Sequence, residues 1–192
     1  MKESREGIIE SYLKEGAALR LLALTLRKEI AQAADLISEA FQSGGKLLTF
    51  GNGGSAADAQ HIAAEFSGRF RKDRGPLPAL ALTTNSSAVT AIGNDLGFDE
   101  VFARQVRALA RPGDVVLGIS TSGRSRNVLK ALEAARKARA TTIGLCGASG
   151  DMAKYCDVLL AVPGETTSLL QEVHIAIGHL LALLVEEDLF GE

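Results

Sequence analysis

The sequence lacks a strong net charge. Its 192 residues include 21 Lys and Arg against 23 Asp and Glu, which gives a formal net charge of −2. Nucleic acids and anionic lipid surfaces attract proteins through an excess of basic residues. We therefore expect no nucleic acid and no membrane among the partners, and the charge balance favours a small soluble ligand.

Cysteine and long apolar runs are also scarce. The two cysteines, Cys146 and Cys156, are too few for the disulfide framework of a small secreted protein, so we expect free thiols in a reducing compartment. The longest uncharged apolar run near the end, 173–185, is shorter than the ~20 residues of a membrane span. Residues 1–7 mix charges of both signs and precede no apolar core, so no signal peptide is expected. These features predict a cytoplasmic protein.

The chain shows no repeat of solenoid period, no low-complexity tract and no proline-rich linker. Its length suits one compact domain. We expect a single domain over 1–192, with a helical segment over 1–44, a core over 45–165 and a closing helix over 166–190.

Short apolar runs alternate with stretches of helical periodicity. The runs are bounded by glycine or polar residues, which is typical of buried strands, and they cover 46–50, 79–82, 114–120, 141–146 and 158–162. The helical stretches cover the first forty positions, 55–70, 98–110, 125–138 and 167–189. This alternation predicts an α/β fold, a three-layer αβα sandwich whose central sheet has five parallel strands.

Two of the predicted strands end in small polar loops that open a helix, at 51–55 and 120–125. A helix start offers unpaired N–H groups and the positive end of the helix dipole, and hydroxyl side chains add donors, so such loops suit phosphate. An ordinary tight turn with a serine N-cap is the alternative for the first loop. The second loop holds three serines and a threonine, more than one cap needs, which favours phosphate binding. Neither loop fits the dinucleotide or Walker patterns.

A second group of polar residues could hold a metal. His61 and Glu65 lie four positions apart, so their side chains share one helix face with Cβ atoms about 6 Å apart. The closing helix adds Gln171, Glu172, His174 and His179. A solvated helix face and packed core histidines are the alternatives. Spacing alone does not show whether the two helices meet.

These segments, taken in order, resemble the sugar isomerase (SIS) domain and, within it, the phosphoheptose isomerases. The resemblance spans nearly the whole chain and is carried by the motifs at 51–65, 93–95, 118–125 and 171–179. It implies an SIS-type, flavodoxin-like sandwich with helices added at both ends.

The resemblance also implies roles for individual residues. It assigns substrate contacts to Asn52, Gly53, Gly54, Ser55, Glu65, Asn94, Asp95, Ser120, Thr121, Ser122, Ser125 and Gln171. It assigns one zinc ion per site to His61, Glu65, Gln171 and His179. Isomerisation through an enediolate needs a base and an acid, and Glu65 and His179 are the candidates.

Members of this family form homotetramers with sites between subunits. They convert sedoheptulose 7-phosphate to D-glycero-D-manno-heptose 7-phosphate, a precursor of the heptose in bacterial surface polysaccharide such as lipopolysaccharide. A related family with the same fold binds the bacterial replication initiator protein, but it resembles the isomerases least at the positions of Glu65 and His179, so their presence here favours an enzyme. An isomerase or sensor of another sugar phosphate is a third possibility, because a phosphate cradle is generic.

Overall fold

A computed structural model describes residues 4–148 and 150–191. Within this part of the chain, one sheet has five parallel strands: β1 (Leu47–Gly51), β2 (Ala79–Ala81), β3 (Val115–Ser120), β4 (Thr141–Gly147) and β5 (Val158–Val162). Their order in the sheet is β2-β1-β3-β4-β5. The chain therefore reverses its direction of travel across the sheet between β1 and β3, which is where ligands bind in open α/β sheets.

The helices cover both faces of the sheet. They are α1 (Arg5–Leu22), α2 (Arg27–Gln42), α3 (Gly54–Ser67), α4 (Ser86–Leu96), α5 (Ala103–Leu109), α6 (Arg126–Lys137) and α7 (Thr167–Phe190). Short 3-10 turns occur at Ala23–Leu26, Phe98–Glu100 and Met152–Tyr155. The three-layer αβα sandwich with a parallel sheet, predicted from the alternation of apolar runs, is confirmed.

Alternate residues of each strand feed two separate cores. Leu47, Leu117 and Ile119 face one core, in which α2, α3 and α7 pack. Leu48 and Val116 face the other, in which α5 and α6 pack. Because side chains alternate across a strand and parallel sheets are covered on both sides, central strands such as β1 and β3 are buried along their whole length.

Helices α3 and α7 run side by side in the same direction. Gln171 lies against Gly54 near the start of both helices, and Gly178 lies against Ile62 further along. A Cβ at Gly178 would stand 2.5 Å from Cγ1 of Ile62, so the helices approach this closely because Gly178 has no side chain. The close approach places the polar residues of the two helices within reach of each other.

Helix α7 is long and apolar enough to cross a membrane by length and composition, but half of its most apolar window is buried within the protein. Leu181 and Val185 belong to the core beneath the sheet. The burial is that of a core helix.

The amino-terminal edge of the sheet is held by a polar contact of its own. The carboxylate of Asp114, which is 3% exposed, accepts hydrogen bonds from the backbone N–H groups of Lys46 and Arg111 and from the Lys46 ammonium. This contact joins the start of β1 to the start of β3, at the edge opposite to the two polar loops.

The sequence prediction of the helices between β2 and β3 was incomplete. It placed one helix over 98–110, whereas this region contains the 3-10 turn Phe98–Glu100 followed by α5. It also left out α4, which begins at the N-cap Asn85, whose side chain accepts a hydrogen bond from the N–H of Ala88.

We predict that Gly178→Ala lowers the stability of the protein. Alanine gains about 1 kcal/mol in helix propensity, but overpacking against the buried Ile62 costs about 1–3 kcal/mol. Gly16→Ala in α1 is the matched control, because the nearest atom to a Cβ there would be Leu169 Cδ2 at 3.3 Å, a much smaller overlap than the 2.5 Å at Gly178. Urea unfolding should show a loss for Gly178→Ala and no loss for Gly16→Ala. Equal effects would contradict the close approach of α3 and α7.

Candidate active site

The candidate site lies at the carboxyl ends of β1 and β3. The first polar loop follows β1 and opens α3, and the second follows β3 and opens α6. Since these strands are neighbours, both helices start at the same edge of the sheet. Their free N–H groups therefore face the same region, which favours an anion.

Glycines give the first loop its shape. Gly53 has φ +55° and ψ −123°, a conformation that side chains disfavour. Gly54 leaves room for the side-chain amide of Gln171, which would collide with a Cβ at this position. Ser55 is 3% exposed at the start of α3. Through Gly54, the loop of Asn52, Gly53, Gly54 and Ser55 thus contacts Gln171 of α7.

The second loop gathers hydroxyl groups around the start of α6. Ser120 Oγ lies 2.9 Å from Ser125 Oγ and 3.4 Å from Ser122 Oγ, and Ser122 Oγ accepts a hydrogen bond from the N–H of Arg124. Ser125 is the N-cap residue of α6, but its side chain makes no capping bond. Because the hydroxyls face one another rather than the helix backbone, they are available to an anion at the helix start.

A pair of side-chain amides joins the two loops. Asn52 Nδ2 donates to Asn127 Oδ1 at 2.9 Å, and Asn127 Nδ2 donates to Asn52 Oδ1 at 2.8 Å. Asn127 is 3% exposed, and its oxygen also accepts the N–H of Val128. Sequence reasoning missed Asn127, since an asparagine in the first turn of a helix is ordinary. Its partner lies 75 positions away.

His61, Glu65 and His179 converge on one point. Their ligand atoms all lie within 4.8 Å of one another. His61 Nε2 lies 2.8 Å from Glu65 Oε1 and 3.2 Å from His179 Nε2, and the latter lies 4.0 Å from Glu65 Oε1. The side chains are 49%, 20% and 40% exposed, respectively. The cluster is therefore open to a small molecule.

The donor set of this cluster fits a zinc ion. Imidazole nitrogen and carboxylate oxygen are ordinary zinc ligands, and catalytic sites use three protein ligands with one open position. Metal–nitrogen distances of about 2.0–2.1 Å place tetrahedral ligands roughly 3.3 Å apart, and the observed separations of 2.8, 3.2 and 4.0 Å bracket that value. The three side chains match the requirements of a divalent metal.

A fourth ionisable group lies one turn before His61. Burial raises the pKa of Asp58 to about 6, and the charge of His61 opposes this shift. Within the described residues, Asp58 Oδ2 is buried and has no hydrogen-bond partner. Sequence reasoning did not select Asp58, because a single acid within a helix carries no signal by itself.

The third histidine is not part of the cluster. His174 is 0% exposed. Burial lowers the pKa of His174 to about 4, against a weaker opposing effect of the Cys146 backbone, so its ring is neutral near pH 7. Of the two interpretations of His174, metal ligand or packed core residue, the structure supports the packed core residue.

The remaining predicted residues lie at two other points. Gln171 packs on Gly54, seven residues before His61 along α3, so its role as a metal ligand stays a prediction. Asn94 and Asp95 occupy the last turn of α4, where the Asn94 amide donates to Asp95 Oδ1 at 2.7 Å. Both are exposed. Their contact with a sugar also stays a prediction.

An apolar groove borders the cluster. It has a volume of about 850 Å³ and is lined by residues of α1, the turn after it, α2, the loop after α3 and α7, including Leu21, Leu24, Phe70, Leu180 and His179. Leu21 and Leu24 are 67% and 63% exposed. One of the three clustered side chains, His179, therefore stands at the rim of an uncovered apolar surface.

Comparison with known proteins gives consistent matches. The family model described as SIS domain matches residues 11–147. The phosphoheptose isomerase of Solidesulfovibrio magneticus is 56% identical over 191 residues, which cover 99% of this chain and 94% of that protein.

Solved structures match over the same extent. Phosphoheptose isomerase GmhA from Neisseria gonorrhoeae has a TM-score of 0.91 and 43% identity, with 96% of this chain and 100% of that chain covered. A phosphoheptose isomerase from Francisella tularensis has a TM-score of 0.93 and 35% identity with the same coverage.

We predict that Ser122→Ala weakens the binding of inorganic phosphate. Loss of a hydrogen bond to a charged group costs about 1–2 kcal/mol, which is roughly a tenfold rise in Kd. Ser43→Ala is the control, because Ser43 is an exposed serine at the end of α2, next to the opposite edge of the sheet. Isothermal titration with phosphate measures both variants. An unchanged Kd for Ser122→Ala would contradict the anion site at the start of α6.

Proposed function

We propose a function for this chain on the premise of its family: it belongs to the SIS domain family and, within it, to the phosphoheptose isomerases. The resemblance that the ordered motifs indicated is thereby confirmed. The protein is a sugar-phosphate isomerase that converts sedoheptulose 7-phosphate to D-glycero-D-manno-heptose 7-phosphate in heptose synthesis. The observation that best supports this function at the level of residues is the convergence of His61, Glu65 and His179 on the same side of the protein as the two polar loops.

We assign the phosphate of the substrate to the second loop. Ser120, Thr121, Ser122 and Ser125 supply hydroxyls there, and the start of α6 supplies N–H groups. Ser55, buried at the start of α3, lies beside the same region. The amide pair between Asn52 and Asn127 holds the two loops together, so that one ligand can contact both.

We assign the rest of the sugar chain to residues between the phosphate loop and the histidines. Asn52, Gly53, Gly54 and Gln171 form the floor, where the Gln171 amide meets the first loop. Asn94 and Asp95 offer exposed amide and carboxylate groups for sugar hydroxyls. Gln171 is the fourth residue of the proposed ligand set, with an amide oxygen that is a less common zinc ligand; its amide lies at Gly54, about two turns of α3 from His61, so it would have to move to reach the metal.

We assign zinc to His61, Glu65 and His179. These three side chains would hold the metal, which would supply a Lewis acid that polarises the substrate carbonyl. The Nε2 atoms of His61 and His179 lie 3.2 Å apart. Without a metal between them, one of the two Nε2 atoms must carry a hydrogen and donate it to the other. The mutual approach of these atoms supports a shared cation.

Proton transfer between neighbouring carbons is the task of Glu65 and His179. Both histidine contacts of Glu65 use Oε1, and we assign the base to Oε2, which neither ring contacts. Glu65 takes the proton from C1 of the ketose and returns it to C2. We assign to His179 the transfer of a proton between the two oxygens, a role that requires a ring nitrogen not bound to the metal. The hydroxyl loop fixes the phosphate end, so that the reacting carbons stay within reach of the carboxylate.

We further propose a cytoplasmic homotetramer in which each chain forms one domain over 1–192. The shared cores support a single domain, since α7 packs with α2 and α3 on one face of the sheet. The groove beside His179 supports association. A second copy that covers Leu21, Leu24 and Leu180 would bury apolar surface and would bring a subunit boundary to the edge of the site.

We predict that the zinc-loaded protein turns over sedoheptulose 7-phosphate. Product formation is followed by anion-exchange chromatography of the heptose phosphates. Turnover of a pentose or hexose phosphate alone would contradict the substrate and retain the reaction class. Binding to the bacterial replication initiator without any turnover would contradict the enzyme assignment.

The variants Glu65→Gln and His61→Ala test the roles of the base and of the metal. Glu65→Gln keeps the shape of the side chain and removes the base, so kcat should fall by about 10²-fold or more while substrate still binds. His61→Ala should lose metal, and treatment of the unchanged protein with a chelator should have the same effect as this variant. Near-normal kcat for Glu65→Gln would overturn the assignment of the base.

We predict a tetramer mass in multi-angle light scattering at micromolar concentration. Leu24→Glu places a charge in the apolar groove and should lower the mass. Leu96→Glu is the control, because Leu96 is 52% exposed at the end of α4, outside the groove. A monomer mass for the unchanged protein would refute the association and the sharing of sites between subunits.

A further inference from the structure

The C-terminal end of α3 is capped by a side chain from the loop that follows it. Arg74 Nη2 donates to the carbonyl oxygen of Glu65 at 2.8 Å, and Nη1 donates to those of Phe66 at 2.9 Å and Gly68 at 3.3 Å. The last carbonyls of a helix have no partner within it, and a cation there also complements the helix dipole. One guanidinium therefore fixes the turn of α3 that carries Glu65.

The same guanidinium is held by α7. Arg74 Nε donates to Glu186 Oε1 at 2.9 Å, and the two side chains are 1% and 0% exposed. The Glu186 carboxylate also accepts the backbone N–H groups of Phe70, Arg71 and Lys72 at 2.8–3.1 Å. Burial by itself would raise the pKa of Glu186, but these hydrogen bonds together with Arg74 hold it below its ordinary value.

This buried pair is aligned with the metal ligands on both helices. Glu186 follows His179 by seven residues, which is about two turns, so both side chains lie on the same face of α7. On α3, the Arg74 guanidinium donates to the backbone carbonyl of Glu65 itself. The pair joins the helix of His61 and Glu65 to the helix of His179, just beyond the point where their side chains meet.

The loop that Glu186 holds also touches a ligand directly. The ring of Phe70 stacks on the ring of His179, with centroids 5.6 Å apart and an interplanar angle of 22°. His179 also meets the ring of His61 edge to face, with centroids 5.0 Å apart. Since Glu186 accepts the N–H of Phe70, the carboxylate fixes the backbone from which this ring extends.

We infer that Arg74, Glu186 and Phe70 form a positioning unit that sets the geometry of His61, Glu65 and His179 and thereby the affinity for the catalytic metal. This inference rests on the proposed function for the identity of the metal site. Arg74 and Glu186 fix the distance between the two helices at the ligands, and Phe70 fixes the orientation of the His179 ring. Residues that orient metal ligands typically change metal affinity or activity by about 10–100-fold when replaced.

The alternative is that the unit only stabilises the fold, and Asp114 separates the two cases. The Asp114 carboxylate is also buried and lies at the opposite edge of the sheet. It accepts two backbone N–H groups, against three for Glu186, and a basic side chain as Glu186 does. Asp114→Asn and Glu186→Gln therefore remove the same kind of contact. Only Glu186→Gln should affect the metal.

The experiment measures zinc affinity of metal-free protein by competition with a chromophoric chelator, together with kcat, KM and the melting temperature. For Glu186→Gln we expect the Kd for zinc to rise about tenfold or more, with a matching fall in kcat at limiting zinc. The Kd for inorganic phosphate should stay within about twofold, because the hydroxyl loop is not touched. Asp114→Asn should lower the melting temperature and leave both Kd values unchanged.

A second set of variants keeps the test independent of the buried charge. Phe70→Leu should weaken zinc binding. Phe70→Tyr keeps the aromatic ring and should bind zinc as the unchanged protein does. The control is Phe102→Leu, because Phe102 stacks on Phe50 at 5.2 Å and 23° in the other core. The absorption spectrum of bound Co²⁺ should change for Phe70→Leu and not for Phe102→Leu, since it reports ligand geometry.

The outcomes distinguish this inference from the proposed function. Zinc affinity in Glu186→Gln and Phe70→Leu equal to that of Asp114→Asn and Phe102→Leu would overturn the positioning unit, even if the unchanged protein isomerises its substrate. Zinc binding that weakens as expected in a protein with no turnover of any heptose phosphate would support the unit and refute the function. A protein that binds no divalent metal would overturn both the unit and the metal assignment.

Discussion

Helices α3 and α7 touch where Gly178 leaves room for Ile62, and this contact has effects in two directions. Toward the sheet it closes one of the two cores, because Ile62 and Ile177 belong to the same apolar cluster. Toward solvent it brings His179 to within 3.2 Å of His61. Packing and chemistry thus share one interface. A change that loosens the core at this point also moves the groups that would hold a metal.

The same parallel arrangement explains why the site has two ends. Gln171 meets the first loop near the start of both helices, whereas His179 meets His61 two turns later. Eight residues of helix span about 12 Å, a length on the scale of a phosphorylated sugar chain. The hydroxyl-rich loops lie at the sheet edge and the histidine and glutamate side chains lie further along the helices. This arrangement suits the proposed substrate, whose phosphate is far from its carbonyl.

The fold could be predicted from the sequence because its signals are local. The strand β5 was predicted with its observed bounds, and the other strands differ from their predicted bounds by a single residue at either end. Runs such as 141–146 are short, apolar and bounded by glycine or polar residues. This pattern is typical of a strand that is buried on both faces. Helix α4 was missed because Gly93 and two serines at its start weaken its periodicity, and the capping by Asn85 is the only strong signal.

The site could be predicted only in part, for a physical reason. The ordered motifs indicated the loops and the histidines through resemblance, and the structure brings His61, Glu65 and His179 together. Asn127, Phe70, Arg74 and Glu186 gave no signal, because each is an ordinary residue type whose partner is distant in sequence. Glu186 and Arg74 are 112 positions apart. Such contacts follow from how α7 docks on α3, which local patterns do not encode.

The position of α7 after the five strands has a consequence for synthesis. The helix Thr167–Phe190 leaves the ribosome after these strands, yet it supplies His179 to the cluster with His61 and Glu65 and supplies Leu169, Val173, Leu181 and Val185 to the core. A nascent chain that already contains all five strands still exposes the apolar face of the sheet on which α7 packs. Chaperone contact in that interval would shield the surface. Premature termination before α7 would yield an aggregation-prone fragment rather than a weakened enzyme.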